Sequence, residues 1–170
     1  SASFALLVYY SAWLKCHHPG AFLAALLNSQ PMGFYSPSQL VQDARRHGVE
    51  VRPADVAFSQ WDCTLEDNSV GKAVRLGLRM VGGLAETAGR RIVASAPHGS
   101  VAGLAQRAGL NRKDLNCLAA AGALQSLAGH RRIAHWAASG VEKETAFLPS
   151  AGNDGLELDP PSEGEDIVAD

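Results

Sequence analysis

Glycine cuts the second half of this chain into short pieces, and that limits what it can build. Beyond Gly77 the sequence is rich in Ala and Leu, and helical spacing of its apolar residues is confined to runs over 86–95, 101–108, 111–121 and 129–139. Short helices joined by glycine dominate here, and each must bury its apolar stripe against its neighbours. Upstream, Leu6, Leu7, Tyr10, Trp13 and Leu14 recur at helical spacing over 4–16. Pro19-Gly20 then interrupts before a second run over 21–28, so two helices meet at a tight corner. Ser36-Pro37-Ser38-Gln39 offers a capping Ser, a Pro at the first helical position and a Gln three residues after the Ser. The helix it announces is predicted to reach Arg45-Arg46-His47 and stop at Gly48. Val49-Glu50-Val51-Arg52 alternates, as do 61–65 and, less cleanly, 73–78, which predicts short strands with turns at Pro53 and Asp67-Asn68. The fold class is therefore mainly α with a small β insert.

A length of 170 residues suits one domain, or one with a small satellite, and is short for a complete multi-step enzyme. The first residues lie inside an apolar helical pattern with no initiator Met and no basic leader, so the chain reads as a piece of something longer and carries no signal peptide. The most apolar stretch, 21–27, is far below the roughly 20 residues that cross a bilayer, and no membrane partner is expected. Cys16, Cys63 and Cys117 are odd in number, far apart and never in a CxxC pair, so neither a disulfide framework nor a zinc ribbon is expected, and a reducing cytoplasmic setting fits. Residues 1–140 carry 14 basic and 8 acidic side chains, whereas residues 141–170 carry 1 basic and 9 acidic. A basic body suggests a polyanionic partner. The acidic stretch, rich in Pro, Gly and Ser, cannot bury enough apolar surface to order itself and is expected to be a flexible tail.

The sharpest local signal is Val81-Gly82-Gly83-Leu84-Ala85-Glu86, leading into a helix that carries Arg90-Arg91. It resembles a helix-hairpin-helix turn, whose small residues let backbone N–H groups approach a DNA phosphate while nearby Arg meets its charge. Ala85 stands where that hairpin usually has its second glycine, which puts the turn's phosphate affinity in question; a plain glycine-bearing helix connection is the alternative. Arg45-Arg46, Arg90-Arg91, Arg112-Lys113 and Arg131-Arg132 recur at helix ends or starts. Singly each answers to the helix dipole or a solvated face, and together they favour DNA. Cys16-His17-His18 has no second Cys/His pair at metal-binding spacing, and His98, His130 and His135 are isolated, so no metal site is expected. Asp43, Asp55, Asp62, Glu66, Asp67 and Asp114 are scattered over caps, turns and strand ends, not paired for two-metal chemistry, and GxSxG, Walker A and GxGxxG motifs are lacking. No catalytic residue is assigned.

The opening 4–19, with Tyr9, Ala12, Leu14-Lys15, His17 and Pro19, resembles the fingers motif Y-x-x-A-x-L-K-x-H-x-P of the C-family replicative polymerases, the bacterial DNA polymerase III alpha subunits. The likeness continues through 21–28, Asp43-Ala44-Arg45-Arg46-His47-Gly48, Pro53-Ala54-Asp55-Val56 and Leu76-Gly77-Leu78. Residues 33–42, 61–66 and 121–132 are closest to the error-prone branch of that family, the ImuC type of the damage-induced mutagenesis cassette.

The resemblance covers residues 1 to about 140, and Pro160-Pro161-Ser162-Glu163 resembles the linker entering the family's OB-fold domain. It implies three parts: 1–78, the C-terminal part of the fingers with the β insert; 79–140, a tandem helix-hairpin-helix DNA-binding region; and 141–170, the linker. It also implies a role in error-prone, translesion DNA synthesis, with primer-template DNA, the incoming nucleotide, and sliding-clamp or mutagenesis-complex subunits as partners. Tyr9, Lys15 and His18 would face nucleotide and template. Against this, Tyr9 could be core, Lys15 a solvated helix-end cation and His18 a helix cap. Gly83, Ala85, Arg90 and Arg91 match the duplex-binding hairpin, and Arg112, Lys113 and Gly122 a second, looser one. The palm carboxylates that hold Mg2+ would lie upstream, so this piece alone is expected to be inactive and to carry no cofactor. Two other readings stand beside it. One is a scaffold that docks subunits of the mutagenesis or replication complex through its Ala/Leu-rich helices. The other is a hydrolase built on Cys16, His17 and His18.

Overall fold

The computed structural model describes residues 2–128 except 32, 34 and 70. The expected helix over 129–139 and the acidic tail lie outside the described residues. In chain order the elements are α1 (Ala2–His17), α2 (Pro19–Asn28), α3 (Pro37–Arg46), β1 (Val51–Arg52), β2 (Thr64–Asn68), β3 (Gly71–Arg75), a 3-10 turn (Leu78–Met80), α4 (Glu86–Ala94), α5 (Val101–Ala108), α6 (Arg112–Ala120) and α7 (Gln125–Ala128). The fold is mostly helical with a small three-stranded sheet, as the sequence predicts.

Local chemistry sets the boundaries. Pro19 is the first residue of α2, where a missing N–H costs nothing, and His18 alone separates α2 from α1. The Ser36 capping box forms: Gln39 N–H donates to Ser36 Oγ (3.3 Å) and Ser36 N–H to Gln39 Oε1 (3.0 Å). Gly48, at φ +81°, turns the chain out of α3.

The sheet order is β1-β3-β2, with β1 parallel to β3 (Val51 opposite Val74) and β2 antiparallel to it (Leu65 opposite Val74). Two predicted strands are displaced: the one expected over 61–65 lies at 64–68 and the one expected over 73–78 at 71–75, so Asp67 and Asn68, expected in a turn, end β2 paired with Lys72 and Gly71. After Arg75 the chain leaves the sheet and crosses residues 60–62, where Leu78 N–H donates to the Gln60 carbonyl (2.9 Å) and Arg79 N–H to that of Trp61 (3.1 Å). A methyl group on Gly77 would stand 2.3 Å from the Trp61 carbonyl oxygen, so the crossing needs glycine. That crossing turns 61–63 away from the ladder and winds 78–80 into a 3-10 turn.

Two cores result. The first gathers Leu23 and Leu27 of α2, Ala44 of α3, Val51, Cys63 and Val74. The second gathers Leu78, Ile92, Leu104, Leu115, Leu118 and Leu124, each at most 1% exposed and each contributing about 1.5–3 kcal/mol of transfer free energy. Leu76 packs against both. Asn28 pins the first core to the crossing: its side chain donates to the Cys63 carbonyl (2.9 Å) and accepts from Cys63 N–H (2.8 Å), while Arg79 donates to the carbonyls of Asn28 (2.7 Å) and Gln30 (3.1 Å). In the second, His98 Nε2–H donates to the Ile92 carbonyl (3.0 Å) and fastens the α4–α5 connection.

Candidate nucleic-acid interface

Residues 81–86 form a tight turn feeding a helix. Leu84 N–H donates to the Val81 carbonyl (3.3 Å), and Gly83 takes φ +80°, as the third position of a type II turn requires. A methyl group on Gly83 would also lie 3.0 Å from Cys117 Sγ on α6, so the turn rests on that helix. Val81 and Leu84 point into the second core, which leaves Gly82, Gly83, Ala85, Glu86 and Thr87 exposed. Ala85 is the N-cap of α4, with extended backbone (φ −72°, ψ 145°) and no side-chain cap. No positive φ is needed there, so alanine fits, and its lack of a polar side chain leaves the first turn of α4 uncapped by Ala85.

The arginines expected beside this turn are engaged within the chain. Arg90 Nε and Nη2 both lie 2.7 Å from Glu86 Oε1, one helical turn back and exposed. Arg91 Nη2 donates to the Gly109 carbonyl (3.2 Å) at the end of α5. Arg112 and Lys113 open α6, where Asn111 and Asp114 form a capping box; Asp114 N–H donates to Asn111 Oδ1 (2.9 Å). They stand at the opposite end of α6 from Gly122, about 13 Å along the axis. The structure thus brings Gly83, Ala85, Arg90 and Arg91 onto one connection and its helix, and separates Arg112 and Lys113 from the second turn.

That second turn ends α6 in a Schellman motif. Gly122, at φ +70°, donates its N–H to the Ala119 carbonyl (3.0 Å), and Ala123 donates to Leu118 (2.9 Å). Val56 N–H then donates to the Ala123 carbonyl (2.9 Å). Asp55, only 7% exposed, accepts from Ser126 N–H (3.2 Å), Ser126 Oγ–H and Ala57 N–H (2.9 Å). Sequence reasoning did not find this contact, because the helix that Asp55 serves begins 70 positions later.

The three candidates on the nucleotide side do not converge. Tyr9 is 63% exposed and meets Tyr10 edge-on (5.8 Å between ring centres), so it is not core in this structure. Lys15, six residues on and about 120° around the helix, lies 2.9 Å from Asp43 on α3. Its hydrogen bond holds the Asp43 carboxyl below its usual range. His18 occupies the N-cap position of α2 but makes no side-chain cap; its ring lies 5.6 Å from that of Trp13. The remaining carboxylates are also committed: Asp62 to Arg79 (2.6 Å), Glu66 to Arg52 (2.6 Å) and Arg75 (2.9 Å), and Asp67 to Lys72. Among the described residues none of these carboxylates pairs with another as a two-metal site requires.

The helix-hairpin-helix motif family matches residues 48–134, just over half of the sequence, and takes in both glycine turns. The chain belongs to that helix-hairpin-helix family. All of it also aligns with proteins named error-prone DNA polymerase. It is 55% identical to that of Alkalilimnicola ehrlichii, 56% to that of Dechloromonas aromatica and 50% to that of Methylococcus capsulatus. The chain spans 17–18% of the length of these relatives. Within this helix-hairpin-helix unit Gly83 is exposed, whereas Gly122 is half-buried and the turn beside it is bonded to Asp55 and Val56. No described helix is long and apolar enough to cross a membrane.

Proposed function

We propose that this chain is the segment of an error-prone C-family DNA polymerase that runs from the fingers into the helix-hairpin-helix region, and that it holds duplex DNA by its backbone. One observation carries the reading: within the matched motif, a type II glycine turn leads into an exposed helix start that its N-cap residue leaves uncapped. Such a start offers N–H groups and the positive end of a helix dipole to a phosphate. Arg90 and Arg91 add charge once they leave partners that hold them weakly; an exposed i,i+4 pair such as Arg90–Glu86 contributes about 0.3–0.5 kcal/mol. The contact reads no base edges, so it suits a polymerase that must grip any sequence. The branch is the damage-induced, translesion ImuC type, and residues 1–78 form the fingers part, with Tyr9, Lys15 and His18 towards nucleotide and template. Mg2+ belongs to palm carboxylates of the parent. The carboxylates described here do not fit it, and the chain alone leaves a primer unextended.

The test is Arg90→Ala/Arg91→Ala in the full chain, titrated with duplexes of different sequence from about 50 to 200 mM salt. Affinity should fall about equally for all sequences and the salt slope should flatten by roughly two units, at about 0.9 per phosphate contact. A loss of stability beyond about 2 kcal/mol with the slope intact would make the arginines structural and end the DNA role of this turn.

A second reading, a scaffold that docks other subunits, is favoured by α1. Phe4, Leu6, Leu7, Val8 and Tyr9 are each more than half exposed, an apolar surface whose cover is either another subunit or the remainder of a protein of which this chain is 17–18%. Binding through it would be insensitive to salt, which separates it from the first reading.

A further inference from the structure

The two glycine turns share a motif but differ at the point where a phosphate would sit. We infer that Asp55 fills, from within the chain, the anion position of the Gly122 turn, so that only the Gly83 turn is left to meet the DNA backbone. This rests on the DNA-backbone reading above and goes beyond it, because a tandem hairpin region read by motif alone would be given two backbone contacts.

The geometry of the second turn is that of an occupied anion site. Two donors at the start of the helix that follows the turn, Ser126 N–H and Ser126 Oγ–H, converge on the buried Asp55 carboxylate across 71 positions, and Ala57 N–H, two residues on from Asp55, closes a third bond within the loop. Such donors are what a phosphate oxygen would recruit, and a carboxylate satisfies them with the same charge sign. The loop that carries Asp55 is itself fixed. Asp55 N–H donates to Ser59 Oγ (3.0 Å), Ser59 Oγ–H donates to the Leu76 carbonyl (2.7 Å), and Val56 N–H closes on Ala123. Ala123 and Leu124 at the turn are fully buried. The first turn also buries its apolar residues, Val81 and Leu84, but it differs at the helix start: Ala85 supplies no side-chain cap, no buried carboxylate among the described residues reaches residues 85–87, and Gly83 is exposed where Gly122 is half-buried. The second turn is thus an internal joint that seats the helical unit on the 48–77 segment. The first faces outward and alone meets the duplex.

The experiment places a negative charge at each turn of the full chain. Thr87→Glu and Gln125→Glu both alter exposed side chains in the first turn of α4 and α7. With a short duplex in about 50 to 200 mM salt, Thr87→Glu should weaken binding about tenfold and flatten the salt slope by about one unit. Gln125→Glu should stay within about twofold with its slope unchanged. A loss from Gln125→Glu equal to that from Thr87→Glu overturns the inference and leaves the DNA reading standing. A flat salt dependence in the unaltered chain overturns the DNA reading itself. A steep slope that neither substitution moves overturns the assignment of the contact to these turns. The role of Asp55 is tested by anion rescue. Asp55→Ala should melt about 5–10 °C lower, and sodium acetate should restore part of that loss where sodium chloride of equal ionic strength does not, with no such difference in the unaltered chain. Equal melting in the two salts overturns the anion assignment. If Asp55→Ala fails to fold, recovery of its far-UV circular dichroism in acetate alone supports the assignment and no recovery refutes it.

Discussion

Replacing Gly89 by alanine should destabilise the chain, although it adds a better helix former to α4. The methyl group would stand 2.4 and 2.5 Å from two ring carbons of Trp61. Carbon atoms in contact sit at about 3.5–4.0 Å, so ring or helix must retreat by about 1 Å. The Trp61 backbone is held, its carbonyl accepting from Arg79 N–H (3.1 Å), and the half-buried ring retreats only by giving up its packing on the second core. Gly→Ala inside a helix gains about 1 kcal/mol, and overpacking a fixed aromatic costs about 1–3 kcal/mol, at the upper end here. The net loss is therefore about 1–2 kcal/mol, read as a lower urea midpoint at unchanged m-value, with Trp fluorescence and circular dichroism coinciding. Gly82→Ala is the control: nothing lies within 4 Å of its new methyl, its φ is not positive, and its stability should hold or rise by a few tenths of a kcal/mol. Trp61→Leu should cost less in the Gly89→Ala chain than in the parent, because it vacates the contested space. A Gly89→Ala chain as stable as the parent would show that the ring yields freely, and would refute the reasoning.

Two further outcomes follow from the titratable groups. Arg75 first, and then Arg52, hold the Glu66 carboxyl below its ordinary value of 4.5, so its contribution is complete above that pH and drains away as pH falls through the lower folded-state value. Melting temperature should drop on acidification below about pH 4.5, and Glu66→Gln should reduce that dependence; an unaltered acid slope in the variant refutes it. Cys63 is 4% exposed with its thiol pushed up by burial, whereas Cys16 is exposed, so a thiol reagent should label Cys16 in the folded chain and Cys63 only on unfolding. Equal labelling rates would contradict the burial.

What could be read from the sequence is what neighbouring residues decide among themselves. The Ser36 box, the stop at Gly48, the 101–108 helix and the start of α4 at Glu86 depend on residues three or four apart, and the structure places them there. The strands expected over 61–65 and 73–78 lie at 64–68 and 71–75, closer to their shared turn, because alternation cannot register that Gly77 must pass the backbone of Trp61. The α4 turn was legible from Gly83 and Leu84, but the engagements of its arginines were only half so. Arg90 with Glu86 is a spacing of four, whereas Arg91 on the Gly109 carbonyl crosses 18 positions. The link from Asp55 to Ser126 crosses 71, and no periodicity encodes it.

Leu76 lies at the seam between the two cores, its N–H donating to the Arg52 carbonyl (3.0 Å) and its own carbonyl receiving Ser59 Oγ–H (2.7 Å). A residue packed on both sides and bonded on both faces leaves no hinge at the seam. The helices before it and the bundle after it are therefore expected to open together, in a single urea transition rather than two.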